Sequence, residues 1–147
     1  HDKLEIHLSG NIDAEVILKI ESYPFLTTKV KQLGYLSHAE VLSEYNEASV
    51  LLLLLFNSKS GIGNYPGKIF EYFAAKRPIL AFGPEDSDVK KLIEKTKAGM
   101  YFSYDETKLK DDILDLFKNK NRFNFENAES FSREKLTKDL SELLNNI

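Results

Sequence analysis

The chain has 147 residues, a net charge of −3 and a pI near 5.7, with 42% hydrophobic and 29% charged residues. That balance is typical of a globular domain with one core, and the acidic surplus argues against a general nucleic-acid binder. The absence of cysteine excludes disulfides, thiolate metal sites and a Cys nucleophile, and the longest apolar run, Val50–Phe56, falls far short of the roughly 20 residues of a membrane span. Leu4, Ile6 and Leu8 alternate with polar residues, a short half-buried strand ending at Gly10. Asp13 opens a helix with Val16, Ile17 and Ile20 on one face, and Pro24 lies beyond its end. A strand over 30–33 is closed by Gly34. Ser37 and Glu40 have the S-x-x-E spacing of a capping box, and the helix behind them carries Val41, Leu42, Tyr45 and Ala48.

Val50–Phe56 reads as a strand buried on both faces, as at the centre of a parallel sheet. A polar loop, Asn57 to Gly67, follows. The helix after it, Lys68 to Lys76, is expected to bury Ile69, Phe70, Phe73 and Ala74. Pro78–Phe82 is another apolar strand, stopped by Gly83-Pro84. Asp86 or Ser87 can cap a helix that uses Val89, Leu92 and Ile93, with Gly99 as its stop. A short strand at 100–102, a helix on Leu109, Ile113, Leu116 and Phe117, a polar connection and a last helix on Leu136, Leu140, Leu143 and Leu144 complete the chain. Strand–helix alternation implies parallel strands joined by right-handed crossovers. The expected fold is α/β: one Rossmann-like doubly wound parallel sheet of about five strands over 1–147, with helices on both faces.

In such sheets ligands bind beyond the carboxyl ends of the strands. The loop Asn57 to Gly67 leaves the most apolar strand at that end and enters a helix through Pro66-Gly67-Lys68. A helix start presents free N–H groups and partial positive charge, Gly67 permits close backbone approach, and Lys68 adds a mobile cation. Glu71, three residues on, can accept hydrogen bonds from a ribose diol. Together they would hold a nucleoside diphosphate. The same residues also read as an ordinary loop with a solvated Lys/Glu pair. The loop fits neither the P-loop pattern nor G-x-G-x-x-G.

Pro66-Gly-Lys-Ile-Phe-Glu-Tyr-Phe-Ala-Ala-Lys-Arg-Pro-Ile-Leu-Ala81 resembles the donor-binding, C-terminal domain of GT-B fold glycosyltransferases of the family-4-like group (glycosyl transferases group 1). The shared pattern is Lys-x-x-Glu-Tyr-x-Ala-x-x-x-Pro before an apolar strand. The segments Leu33 to Leu42, Ala48 to Leu54 and Lys97 to Phe102 extend the resemblance. It implies that Glu71 binds the ribose hydroxyls and that Lys68, with the backbone at Gly67 and Ile69, holds the diphosphate, making Lys68 and Glu71 the catalytic residues. It places Tyr35 and Leu36 against the base. Asn57, Ser58, Gly61 and Asn64 would face the donor sugar and the diphosphate. It further implies transfer of a sugar from a nucleoside-diphosphate sugar without metal or other cofactor, and with retention.

Two departures stand out. Many relatives carry a second Glu eight residues before the position of Glu71, where this chain has Gly63. Relatives also carry a basic pair near the start of the domain, which would precede His1. The chain is therefore expected to be truncated by about one strand and one helix, to lack the acceptor-binding N-terminal domain as its partner, and to bind sugar nucleotide weakly without turnover. Half of a sugar-nucleotide epimerase and a non-catalytic nucleotide-binding module remain open alternatives. No nucleic-acid partner is expected. The whole protein is expected in the cytoplasm, with peripheral contact at the inner face of the membrane as one option, for which Lys90, Lys91, Lys95 and Lys97 offer either a lipid-facing patch or a solvated helix face. His7 is expected on a polar strand face. Asp86 and Asp88 are expected to cap rather than bind metal.

Overall fold

The computed structural model describes residues 4–107 and 109–146. Their elements run β1 (Ile6–Ser9), α1 (Ala14–Glu21), α2 (Pro24–Thr27), β2 (Val30–Gly34), α3 (His38–Glu47), β3 (Leu51–Leu54), α4 (Lys68–Ala75), β4 (Ile79–Gly83), α5 (Asp88–Thr96), β5 (Gly99–Ser103), α6 (Leu109–Lys118) and α7 (Arg133–Asn145). The chain is α/β with parallel strands. It divides between Glu44 and Tyr45 into two compact units.

In the first unit β1 and β2 pair in parallel, Ile6 opposite Val30 and Leu8 opposite Gln32. Asp13 caps α1, its carboxylate accepting from the Glu15 amide at 2.8 Å. Pro24, read as lying past a helix end, starts the extra short helix α2, where its missing N–H costs nothing. The capping box ahead of α3 is complete. The Ser37 amide donates to the Glu40 carboxylate at 2.7 Å, and the Glu40 amide donates to Ser37 Oγ at 3.4 Å. None of residues 4–44 is fully buried.

The second unit holds the core. β3, β4 and β5 form a parallel ladder in that order, Leu51 opposite Ile79 and Ile79 opposite Gly99. One face of this sheet, with Leu51, Leu53, Ile79 and Ala81, packs against Ile69, Tyr72 and Phe73 of α4 and Val89, Leu92 and Ile93 of α5. On the other face Leu80 and Phe102 pack against Leu116 of α6. Gly99 lies against β4 so closely that a Cβ there would meet the Ile79 carbonyl oxygen at 2.0 Å.

Four expectations need correction. The five strands lie in ladders of two and three, not in one sheet, because alternation sets strand direction but not which edges meet. Val50–Phe56 is buried on one face only: Leu51, Leu53 and Leu55 are buried, whereas Leu54 is 56% and Phe56 74% exposed. The buried face of α4 is Ile69, Tyr72 and Phe73, with Phe70 and Ala74 rotated outward. The stop of α5 is Lys97, left-handed at φ 48°, and Gly99 already belongs to β5. No helix among the described residues is long and apolar enough to cross a membrane.

Candidate functional site

The loop between β3 and α4 departs from the carboxyl end of the sheet. Ser58 to Gly61 form a tight turn in which the Gly61 amide donates to the Ser58 carbonyl at 2.9 Å, and the Ser58 and Ser60 hydroxyls pair at 2.8 Å. Gly61 is buried, and a Cβ there would meet the Phe56 carbonyl oxygen at 2.1 Å. No larger residue fits without moving the backbone. The Ile62 carbonyl accepts from the Asp88 amide at 2.9 Å, which ties the loop to the first turn of α5. Asn57, Ser58, Gly63, Asn64 and Gly67 are exposed around this anchored turn.

α4 starts without a side-chain cap: Gly67 occupies the N-cap position in helical geometry. The Ile69 amide donates to the Pro66 carbonyl at 3.0 Å and the Phe70 amide to Gly67 at 3.2 Å. Ile69 therefore has no backbone N–H to offer a ligand, and its side chain is fully buried. The amides of Gly67 and Lys68 carry no hydrogen bond among the described residues. These two are the N–H groups left for an anion. Lys68 is exposed and Glu71 half-buried, and neither forms an ion pair or hydrogen bond among the described residues. The i,i+3 spacing did not produce the solvated ion pair that the plain reading of the loop allowed.

Behind Glu71 lies a pair of tyrosines that pattern reading of the sequence did not single out as functional. The rings of Tyr45 and Tyr72 meet edge to face with centroids 4.9 Å apart. Burial pushes both phenols above their ordinary range, and the negative charge of Glu71 adds to the rise. The Tyr72 hydroxyl donates to the Leu52 carbonyl at 3.1 Å. The only available sequence signal was the placement of Tyr72 one residue after Glu71, on the buried face of α4.

Elsewhere at the carboxyl end, Tyr101 and Tyr104 act as rim supports. Tyr101 donates to the Pro84 carbonyl at 2.8 Å and Tyr104 to the Leu55 carbonyl at 2.6 Å. Ser87 rather than Asp86 caps α5, accepting from the Val89 amide at 3.2 Å, and Asp88 pairs with Lys91 at 2.8 Å. Lys90 pairs with Glu85 and Lys97 with Glu126, so three of the four lysines of the basic cluster face carboxylates. Among the described residues no three His, Asp or Glu side chains converge as a metal site would require.

In the first unit, Tyr35 follows β2 and is 88% exposed, with Leu36 half-buried beside it. His38 is exposed at the start of α3. His7 is held between two carboxylates, Nδ1 at 2.8 Å from Glu44 and Nε2 at 3.3 Å from Glu5. Its hydrogen bond to Glu44 raises its pKa above the ordinary value of 6.5.

No known family model matches the chain, and no curated protein matches it.

Proposed function

We propose that the chain is the donor-binding part of a GT-B fold glycosyltransferase of the family-4-like group, and that its β3–β5 sheet belongs to a Rossmann-like doubly wound fold. The observation that carries this reading is the start of α4. There, two amides, at Gly67 and Lys68, and the side chains of Lys68 and Glu71 one helical turn apart have no hydrogen-bond or ion-pair partner among the described residues. Transfer of a sugar from a nucleoside diphosphate requires stabilisation of negative charge as the diphosphate leaves. The Lys68 ammonium and the end of the helix supply that field without a metal, because their dipoles and charge are in place before the bond breaks. Glu71 accepts hydrogen bonds from the vicinal hydroxyls of the ribose, and the Asn57–Asn64 turn lines the sugar and diphosphate. Retention of configuration follows from the family resemblance, as does an acceptor-binding N-terminal domain as the partner needed for turnover.

Gly63 favours a second reading, a nucleotide-binding module without catalysis. It is exposed, with no heavy atom within 4 Å of where a Cβ would stand, so nothing on the loop replaces the carboxylate that relatives place there. Titration of the chain with UDP-, GDP- and ADP-sugars, alongside Glu71→Ala, tests the site common to both readings. Turnover once the acceptor-binding domain is supplied distinguishes them.

A further inference from the structure

A second cluster of cations lies at the opposite end of the β3–β5 sheet from the Asn57–Gly67 loop. Lys76 ends α4 in the left-handed conformation (φ 50°) and turns the chain through Arg77 into buried Pro78 and β4. Ser49 precedes β3, and Lys120 and Asn121 follow α6. Ser49, Lys76, Arg77, Lys120, Asn121 and Phe123 line a cavity of about 330 Å³ that has three cationic side chains and no carboxylate in its wall.

The hydrogen bonds around these cations are incomplete. Lys120 Nζ donates to Ser49 Oγ at 3.2 Å and has no ion-pair partner among the described residues. Arg77 Nη2 donates to the Asn46 carbonyl, while its Nε is buried with no hydrogen-bond partner among the described residues. Among the described residues, only Lys76 of the three meets a carboxylate, Glu129 at 3.6 Å, and both groups of that pair are exposed, where water screens the attraction. A guanidinium cannot shed its proton, so Arg77 keeps a full positive charge beside the cavity at any ordinary pH. Neighbouring like charges also repel unless an anion lies between them.

We infer that this cavity is an anion site, and that the group it takes is a phosphate. A phosphate has several acceptor oxygens around one compact charge. It can accept from the Arg77 fork, the Lys120 ammonium, the Ser49 hydroxyl and the Asn121 amide together, which a single carboxylate cannot. The site is separate from the sugar-nucleotide reading: it lies at the amino ends of β3 and β4 and shares no residue with the α4 start.

The experiment is an amide-resolved NMR titration of the whole chain with sodium phosphate, against sodium chloride at matched ionic strength. Saturable shifts at Ser49, Arg77 and Lys120, absent with chloride, are expected. Lys120→Gln, at an exposed side chain, should weaken binding about tenfold; Arg77→Gln should do the same, and Lys138→Gln, on the exposed face of α7, should leave the shifts at Ser49, Arg77 and Lys120 unchanged. A second arm uses phosphatidylcholine vesicles with and without phosphatidic acid. Sedimentation with the phosphatidic acid vesicles that Lys120→Gln abolishes assigns the phosphate to a lipid headgroup. Phosphate binding without vesicle binding assigns it to a free phosphate. Absence of saturable phosphate shifts, or shifts that survive Lys120→Gln undiminished, would overturn the proposal, and does not depend on whether Arg77→Gln folds.

Discussion

The Tyr72 hydroxyl donates to the main-chain carbonyl of Leu52 at 3.1 Å, so a side chain of α4 supplies the hydrogen bond that β3 lacks on its unpaired edge. Tyr72 is 5% exposed, so removing the hydroxyl loses a hydrogen bond made from a buried side chain. Tyr72→Phe should therefore destabilise the chain by about 1 kcal/mol, read as a lower urea midpoint with unchanged slope. The tyrosine also packs against Tyr45, so Tyr72→Ala should cost more, about 3–5 kcal/mol for a buried aromatic.

Two glycines of the loop should behave oppositely. Gly61→Ala places a methyl group against the Phe56 carbonyl and forces the turn to move, at about 1–3 kcal/mol. Gly63→Ala enters open space and should change stability by less than about 0.5 kcal/mol. Thermal unfolding of the two variants side by side checks the contrast. Equal effects would mean that the turn is not anchored as described.

Ile69 and Lys68 are neighbours with different duties. Ile69 is fully buried, and Ile69→Ala should cost about 2–5 kcal/mol of stability. Lys68→Gln, at an exposed side chain with no partner among the described residues, should leave the unfolding midpoint almost unmoved. A large loss of stability in Lys68→Gln would show that the residue is structural rather than free for a ligand.

His7 gives a pH signature to the first unit. Both ring nitrogens face carboxylates, and an imidazole can donate from both only when protonated. A raised folded pKa means that its contribution is fully present below the unfolded value near 6.5 and is lost as pH rises through the folded value. The His7 ring signals should titrate above 6.5, and Glu44→Gln should bring the midpoint back toward that value. A midpoint unmoved by Glu44→Gln would contradict the pairing.

Periodicity revealed the elements more faithfully than their faces. Val89, Leu92 and Ile93 recur at helical spacing and are all buried, because α5 has one apolar stripe and nothing else to hide. α4 is apolar almost all round, so the pattern could not say whether Phe70 and Ala74 or Tyr72 turns inward; the contacts with β3 and Tyr45 decide for Tyr72. A Lys in the left-handed position at 97 was not legible, since Gly99 two residues later is the usual signal. Gly99 is there for the close approach to Ile79. At the site, the glycines and Pro66 marked the loop correctly. The consumed Ile69 amide and the Tyr45–Tyr72 pair depend on contacts that no spacing encodes.

The central claim is that the loop after β3 and the start of α4 hold a sugar nucleotide. The most direct measurement is isothermal titration of the chain with UDP-, GDP- and ADP-sugars, repeated with Glu71→Ala after circular dichroism has verified its fold. The account predicts saturable binding to at least one of them, weakened about ten- to a hundredfold in Glu71→Ala. Heat-silent titrations with all three on a folded chain, or binding that Glu71→Ala leaves intact, would contradict it.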